Sequence, residues 1–307
     1  MLDLLFKNSL QWLFGLLLAP VLAGLVKKCK ARLQHRQGPG LLQPGYDLGK
    51  LFRKRMVLSE TTSWLFRVPP FLEFGIALFL LLVTPGPLQM LRLPVAVDVI
   101  TILYLMTLGR FFTALAGLDA GSAFGGMGSS REMTIAAMIE PGLVLVLFLV
   151  GSKAGTLQLD RMVQWATSNE GWVFAPVHLL AAVAFFILLV AATGRIPVDN
   201  PDTHLELTMI HEGMILEYSG PYLALINWAA MIRQYLFFSI FLNIFVPALP
   251  GLNWVENAVF FVVKLAGLGC LVALVETLLA KMRLLKVPRL LWAASGFALM
   301  ALLTVVF

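Results

Sequence analysis

Eight stretches of this 307-residue chain are apolar for long enough to cross a membrane, near residues 9–26, 70–91, 96–118, 133–152, 173–194, 222–248, 257–280 and 288–307. About 20 apolar residues in a helix span roughly 30 Å of hydrocarbon. Hydrophobic residues make up 59% of the chain, charged residues 13%, and mean hydropathy is +0.86. That balance leaves too little polar surface for a soluble domain. The expected fold is all-α, a single polytopic membrane domain over residues 1–307 with about eight transmembrane helices. The first run has no basic cluster before it and no small-residue cleavage site after it, so it reads as a retained helix.

Lysines and arginines orient the chain. If the loop after the first helix is cytoplasmic, sixteen of them lie on that side, between Lys27 and Arg67, at Arg131, at Arg195 and between Lys281 and Arg289. Lys7, Arg92, Lys153 and Arg161 fall on the other side, and Arg110, Arg233 and Lys264 fall inside helices. Positive charge concentrates on the cytoplasmic face of membrane proteins. The expectation is therefore a cytoplasmic (inner) membrane protein with both termini outside. Residues 27–69 form a basic cytoplasmic loop, and residues 195–221 an acidic cytoplasmic loop or helix.

Two cysteines, Cys29 and Cys270, and one histidine at membrane depth, His178, cannot supply the four thiolates of a typical iron–sulfur cluster or a bis-histidine haem site. No redox cofactor is expected on this chain. The titratable residues concentrate instead in IPVDNPDTHLELTMIHEGMILEYSG, residues 196–220. Asn200 can cap a helix, Pro201 suits its first position, and Asp202 favours the positive end of its dipole. A short helix is expected there, with Asp202, Glu206 and Glu217 on neighbouring positions and His204 and His211 on another stripe. A solvated connecting helix is the plainer reading. Against it stand Leu205, Leu207, Met209, Ile210, Met214, Ile215 and Leu216, more apolar surface than a free loop exposes. A zinc site is the weaker alternative, since the two histidines are seven apart and no HExxH is present.

The stretch from Arg195 to Gly220 resembles the loop between the fifth and sixth helices in the family of the complex I membrane subunit that adjoins the quinone site. Its THLELTMIHE version is similar to membrane-bound [NiFe] hydrogenases and related ferredoxin- or formate-linked complexes. RLQHRQGPGLLQPGYDLGKLF (residues 32–52) resembles the family's signature after helix one. GLDAGSAFGGMGSSREMTIAAMIE (residues 117–140) resembles the hydrogenase-type loop and fourth helix. The chain departs from complex I relatives in three ways. It lacks the short insertion after RQGP, it carries Ala192 and Ala230 where those relatives commonly have glutamates, and its Arg233 is typical of the hydrogenase branch. The resemblance implies a membrane anchor that couples a peripheral redox arm to ion translocation. Its implied partners are the peripheral large and small hydrogenase subunits, an iron–sulfur subunit and antiporter-like membrane subunits, which would carry the iron–sulfur clusters and a NiFe centre. A quinone-site subunit of a complex I-type NADH dehydrogenase and a structural anchor without an ion path are the alternatives. An independent secondary transporter lacks support, because no pair of repeated, interrupted helices is visible.

Ionisable residues inside a bilayer are costly, which makes each a functional candidate. Glu140 lies about eight residues into the fourth run, roughly 12 Å deep at 1.5 Å per residue, and Pro141 loosens the ladder beside it. It is the leading candidate for an ion path, with Lys264, Glu276, Glu206, Asp202, Glu217, Arg233 and Arg110 as further members. The arginines suit fixed counter-charges, because guanidinium does not release its proton. Glu73 and Glu276, near helix ends, are expected to snorkel or to pair with Lys281 and neighbouring basic residues. The Gly/Pro run with Leu41, Leu42 and Tyr46 reads as a shaped docking loop. Arg32, Arg36, Gln43, Asp47, Lys50, Arg131, Arg195, Asp199, His204, His211 and Glu212 are the expected contacts with the peripheral arm, beside anionic lipid. Nucleic acid is not an expected partner, since the basic residues sit where topology demands them.

Purified alone, the chain is expected to carry no metal, haem or flavin and to show no hydrogenase activity. Stoichiometric iron or nickel in elemental analysis of the isolated chain would refute this.

Overall fold

The computed structural model describes residues 2–86, 97–173, 175–200, 209–249 and 253–306. Helices follow one another along the chain as α1 (Leu2–Leu33), α2 (Gln43–Arg53), α3 (Trp64–Arg67), α4 (Pro69–Val83), α5 (Val99–Asp119), α6 (Ala123–Ala154) and α7 (Leu159–Ser168). The series continues with α8 (Glu170–Val173), α9 (Pro176–Ala192), α10 (His211–Ile215), α11 (Gly220–Phe245), α12 (Trp254–Leu278) and α13 (Val287–Val306). Among the described residues no strand forms, and seven spans are long and apolar enough to cross a membrane. They are Leu10–Leu33, Trp64–Val83, Val99–Asp119, Ala123–Ala154, Gly220–Phe245, Trp254–Leu278 and Leu284–Val305. The fifth expected crossing corresponds to α9, which at 17 residues is shorter than the other seven.

Glycine explains where the helices depart from the hydropathy pattern. The fourth apolar run starts near residue 133, yet α6 begins at Ala123, inside GSAFGGMGSS. Ser122 caps it, its hydroxyl accepting from the Gly125 amide at 3.1 Å. Gly125 then lies against the Gly117 carbonyl of α5. A Cβ on Gly128 would sit 2.9 Å from the Ile210 carbonyl oxygen. Small residues let backbones approach this closely, so α10 beds directly onto α6. Polar side chains tie the same region together. Ser129 donates to the Ala114 carbonyl at 2.8 Å, and Arg131 donates to that of Met209 at 3.0 Å.

The helices enclose one main apolar core, to which α1, α4, α5, α6, α9, α11, α12 and α13 all contribute; α11 packs on α1 and α4, and α13 on α6 and α9. A second cluster of Phe66, Ala114, Ala116, Met214, Ile215 and Tyr218 covers the basic-loop end of α5. There Tyr218 stacks on Phe66 at 4.0 Å between ring centroids and donates its hydroxyl to the Phe66 carbonyl at 2.7 Å. Burial pushes the phenol pKa up, which keeps the hydroxyl protonated and donating. Residues 201–208, where the acidic helix was expected to start, lie outside the described residues; of that helix the structure describes only the short α10.

Gly24 fixes the loop after α1 in place: a Cβ there would overlap the Leu41 carbonyl and press on Pro44. Overpacking of this kind costs about 1–3 kcal/mol. Gly24→Ala should therefore lower thermal stability in detergent and speed proteolysis between residues 34 and 42, whereas Gly49→Ala, which meets nothing within 4 Å, should do neither.

Candidate functional site

Helices of alternating direction bring the basic loop, the end of α9 and the start of α10 to one end of the bundle. Between them lies a cavity of about 270 Å³. The α2 helix covers it with Pro44, Asp47, Leu48 and Leu51. Pro44 sits in the first turn of that helix, and Pro44 and Leu48, four residues apart, form its buried stripe. The wall behind is charged: Lys27 from α1, Arg110 from α5, Glu132 from α6, Arg195 and Asp199 after α9, His211 and Glu212 on α10, and Arg233 and Gln234 on α11.

Each arginine here is held by a specific acceptor. Arg110, buried, donates to the Ala192 carbonyl at 2.6 Å, and its Nε stands 4.0 Å from a Glu132 carboxylate oxygen. Arg195, also buried, donates to Glu276 at 3.2 Å and to the Gln234 amide oxygen at 2.8 Å. Glu276 pairs in addition with Lys30 at 3.1 Å. Asp199 pairs with Lys281 at 2.7 Å. Arg233 leads away from the cavity: its guanidinium donates to Glu73 of α4, which is only 3% exposed. The Thr113 hydroxyl donates to the other Glu73 oxygen at 2.9 Å, and Gly109 leaves room for that carboxylate against α5. Deeper along the same face of α5, the Thr107 hydroxyl donates to Glu140 at 2.8 Å. Thr107, Arg110 and Thr113 recur every three residues, so α5 presents one polar stripe to three helices.

The expected residues separate into groups. Arg110, Arg233, Arg195, Asp199, Asp47, His211 and Glu212 all line the cavity. Glu140 lies off it, half-buried on the α5–α6 seam. Glu276 reaches it through Arg195. Lys264 is elsewhere, donating to the Val246 carbonyl at the end of α11 at 2.6 Å, with its ammonium 4.8 Å from the Phe260 ring centroid. Arg32, Arg36, Gln43, Lys50 and Glu217 are exposed, Gln43 donating to Asp47 at 2.9 Å one helical turn on. Asp202, His204 and Glu206 lie outside the described residues. Glu73 neither snorkels nor pairs with Lys281; its partner is Arg233, 160 residues away. Glu132, Gln234 and Lys27 are members of the site that hydropathy did not single out. Among the described residues no group of three or more His, Cys, Asp or Glu residues could hold a metal ion.

A family model described as NADH dehydrogenase matches residues 8–307. The chain is 32% identical over 292 residues to formate hydrogenlyase subunit 4 of Escherichia coli (strain K12), a match that covers 92% of each chain. It is equally 32% identical over 292 residues to hydrogenase-4 component C of the same organism, covering 94% of this chain and 90% of that one. Its fold is similar to a chain in the structure of the membrane-bound sulfane sulfur reductase, an archaeal respiratory membrane complex. That superposition has a TM-score of 0.86 at 21% identity and covers 99% of both chains.

Removing one partner of a buried ion pair strands the other, at a cost of about 3–5 kcal/mol, whereas replacing both with apolar residues is often neutral. Glu73→Ala should therefore lower the unfolding midpoint in detergent sharply, and Glu73→Leu combined with Arg233→Met should recover most of the loss. Equal damage from the single and double variants would show that the pair is not what holds α4 to α11.

Proposed function

The chain belongs to the NADH dehydrogenase family, and from that premise we propose that it is the membrane subunit of a membrane-bound [NiFe] hydrogenase-type complex. It anchors a peripheral redox arm and couples the arm's reaction to movement of ions. The near full-length likeness to formate hydrogenlyase subunit 4 and hydrogenase-4 component C supports the kind of complex. One observation carries the coupling role: Arg233 belongs both to the cavity wall and to the buried pair with Glu73, so a charge change at the cavity is felt at membrane depth.

The working parts divide by chemistry. Guanidinium groups stay charged, so Arg110, Arg195 and Arg233 set the local field. Glu132, Glu73 and Glu140 can take up and release protons, and the Thr107 and Thr113 hydroxyls are placed to pass them. The metals and iron–sulfur clusters belong to the partner subunits, which include the peripheral large and small subunits, an iron–sulfur subunit and antiporter-like membrane subunits. Ala192 and Ala230, which lack carboxylates, both line the cavity, which counts against quinone reduction as the alternative. Bound quinone in the purified assembly would reverse that preference.

The docking face is the exposed side of α2 and its loop, with Arg32, Arg36, Leu42, Tyr46 and Lys50, together with the exposed Glu217; Asp202 and Glu206, proposed to join it, lie outside the described residues. Opposite charge on neighbouring patches orients a partner. The lysine and arginine distribution favours the cytoplasmic side of the inner membrane for this face and the outer side for both termini.

Glu140→Gln keeps size and hydrogen bonding but removes the titratable proton. In proteoliposomes that hold the whole complex, assembly should survive while the ion gradient built per redox turnover falls or vanishes. Full turnover with an undiminished gradient sinks the relay role of Glu140. Loss of assembly instead marks Glu140 as a structural residue.

A further inference from the structure

Helix α12 packs chiefly on α1. Gly269 makes the approach close, for a Cβ there would lie 3.3 Å from Leu22 and 3.4 Å from Val26. The next residue, Cys270, thereby reaches Cys29 with 3.0 Å between the two sulfurs. A shift of about 1 Å brings them to the ~2.05 Å of a covalent S–S bond. These are the chain's two cysteines, so neither has a competing partner within it. Both are free thiols, Cys270 exposed and Cys29 half-buried.

We propose that Cys29 and Cys270 form a redox-responsive dithiol that a hydroperoxide closes into a disulfide between α1 and α12. Cys270, the less buried of the two, reacts first, and its proton passes to the departing oxygen. Its sulfur attacks the peroxide, an S–O bond forms, the O–O bond breaks and the alcohol or water leaves. The Cys29 thiol then attacks the sulfenic sulfur, an S–S bond forms, the S–O bond breaks and water leaves. Two thiols lose two electrons and the hydroperoxide gains them. Cys29 lies in the last turns of its span, Leu10–Leu33, and Cys270 two turns from the end of Trp254–Leu278, toward the end of the bundle that carries Lys30.

The position gives the bond a consequence. Lys30 follows Cys29, Glu276 lies six residues beyond Cys270, and the two form an ion pair at 3.1 Å. Glu276 also holds Arg195 of the cavity wall. A closed disulfide therefore pins the helix that carries Glu276 onto α1, while touching no residue of the cavity itself. This inference concerns thiol state and does not depend on the proposed function.

The test uses the full chain in its native membranes. Samples are exposed to hydrogen peroxide, blocked with one alkylating reagent, reduced, and labelled with a second, distinguishable by mass. The expected result is that Cys29 and Cys270 become protected together and to the same extent, with a disulfide-linked peptide pair in the unreduced digest. Cys29→Ser should abolish reducible protection at Cys270, and Cys270→Ser should abolish it at Cys29. Continued reaction of both thiols with the first reagent, or protection of one without the other, overturns the proposal. The wild-type peptide pair decides the matter even if a variant fails to accumulate.

Discussion

A charge placed in hydrocarbon has to bring its partner with it, and that requirement organises this bundle. Four of the ion pairs among the described residues join elements distant in sequence: Lys30 of α1 and Arg195 meet at Glu276 of α12, Arg233 of α11 meets Glu73 of α4, and Lys281 meets Asp199. Desolvation offsets much of the Coulomb gain in such pairs. Their effect is specificity rather than net stability, since an alternative packing would leave a charge stranded. The apolar residues of the main core supply the driving force, and the pairs select which helix faces meet.

Close backbone approach makes that selection possible at the cavity. Gly117 and Gly125 bring α5 and α6 together, and Gly128 admits α10 against α6. A longer side chain at Gly128 would lift α10, and with it His211 and Glu212, away from the wall that Arg110 and Glu132 form. The same logic places α2, whose buried Pro44 and Leu48 face inward while Tyr46 stays exposed. One short helix thus closes the cavity with one face and offers the other to solvent.

Hydropathy made the spans and the all-helical class legible, because length and apolarity are local properties. The partners of the buried charges were not legible in the same way. Glu73 follows Pro69 and Pro70 near the start of α4 and has the pattern of a helix-end acid; only tertiary packing puts Arg233 against it. Arg195 and Asp199 read as docking residues because they border an acidic loop, yet both are buried and paired inside the chain. The Gly-rich segment before residue 133 fell outside the fourth apolar run and resembled a loop, yet it is the start of α6. Its glycines are there for close contact, which propensity does not register. Glu140 at membrane depth was legible from position alone, and its Thr107 partner was not.

Ala192 and Ala230 bring no carboxylate to the cavity wall, and that shapes what the cavity can do. Arg110 donates to the Ala192 backbone carbonyl, a dipole that no proton can neutralise. The acids nearest these arginines are Glu132, whose carboxylate is 4.0 Å from Arg110, and Glu73 beyond Arg233. One unit charge acting over 4 Å at an effective dielectric of 20 is worth about 4 kcal/mol, several times thermal energy. On the proposed function, a proton gained or lost at either carboxylate changes the field on its arginine. Arg233 stands between the cavity and Glu73, so such a change at one end biases the other without any large motion of the helices. On the proposed function, that is the physical link between a redox event at the docking face and a proton held at membrane depth.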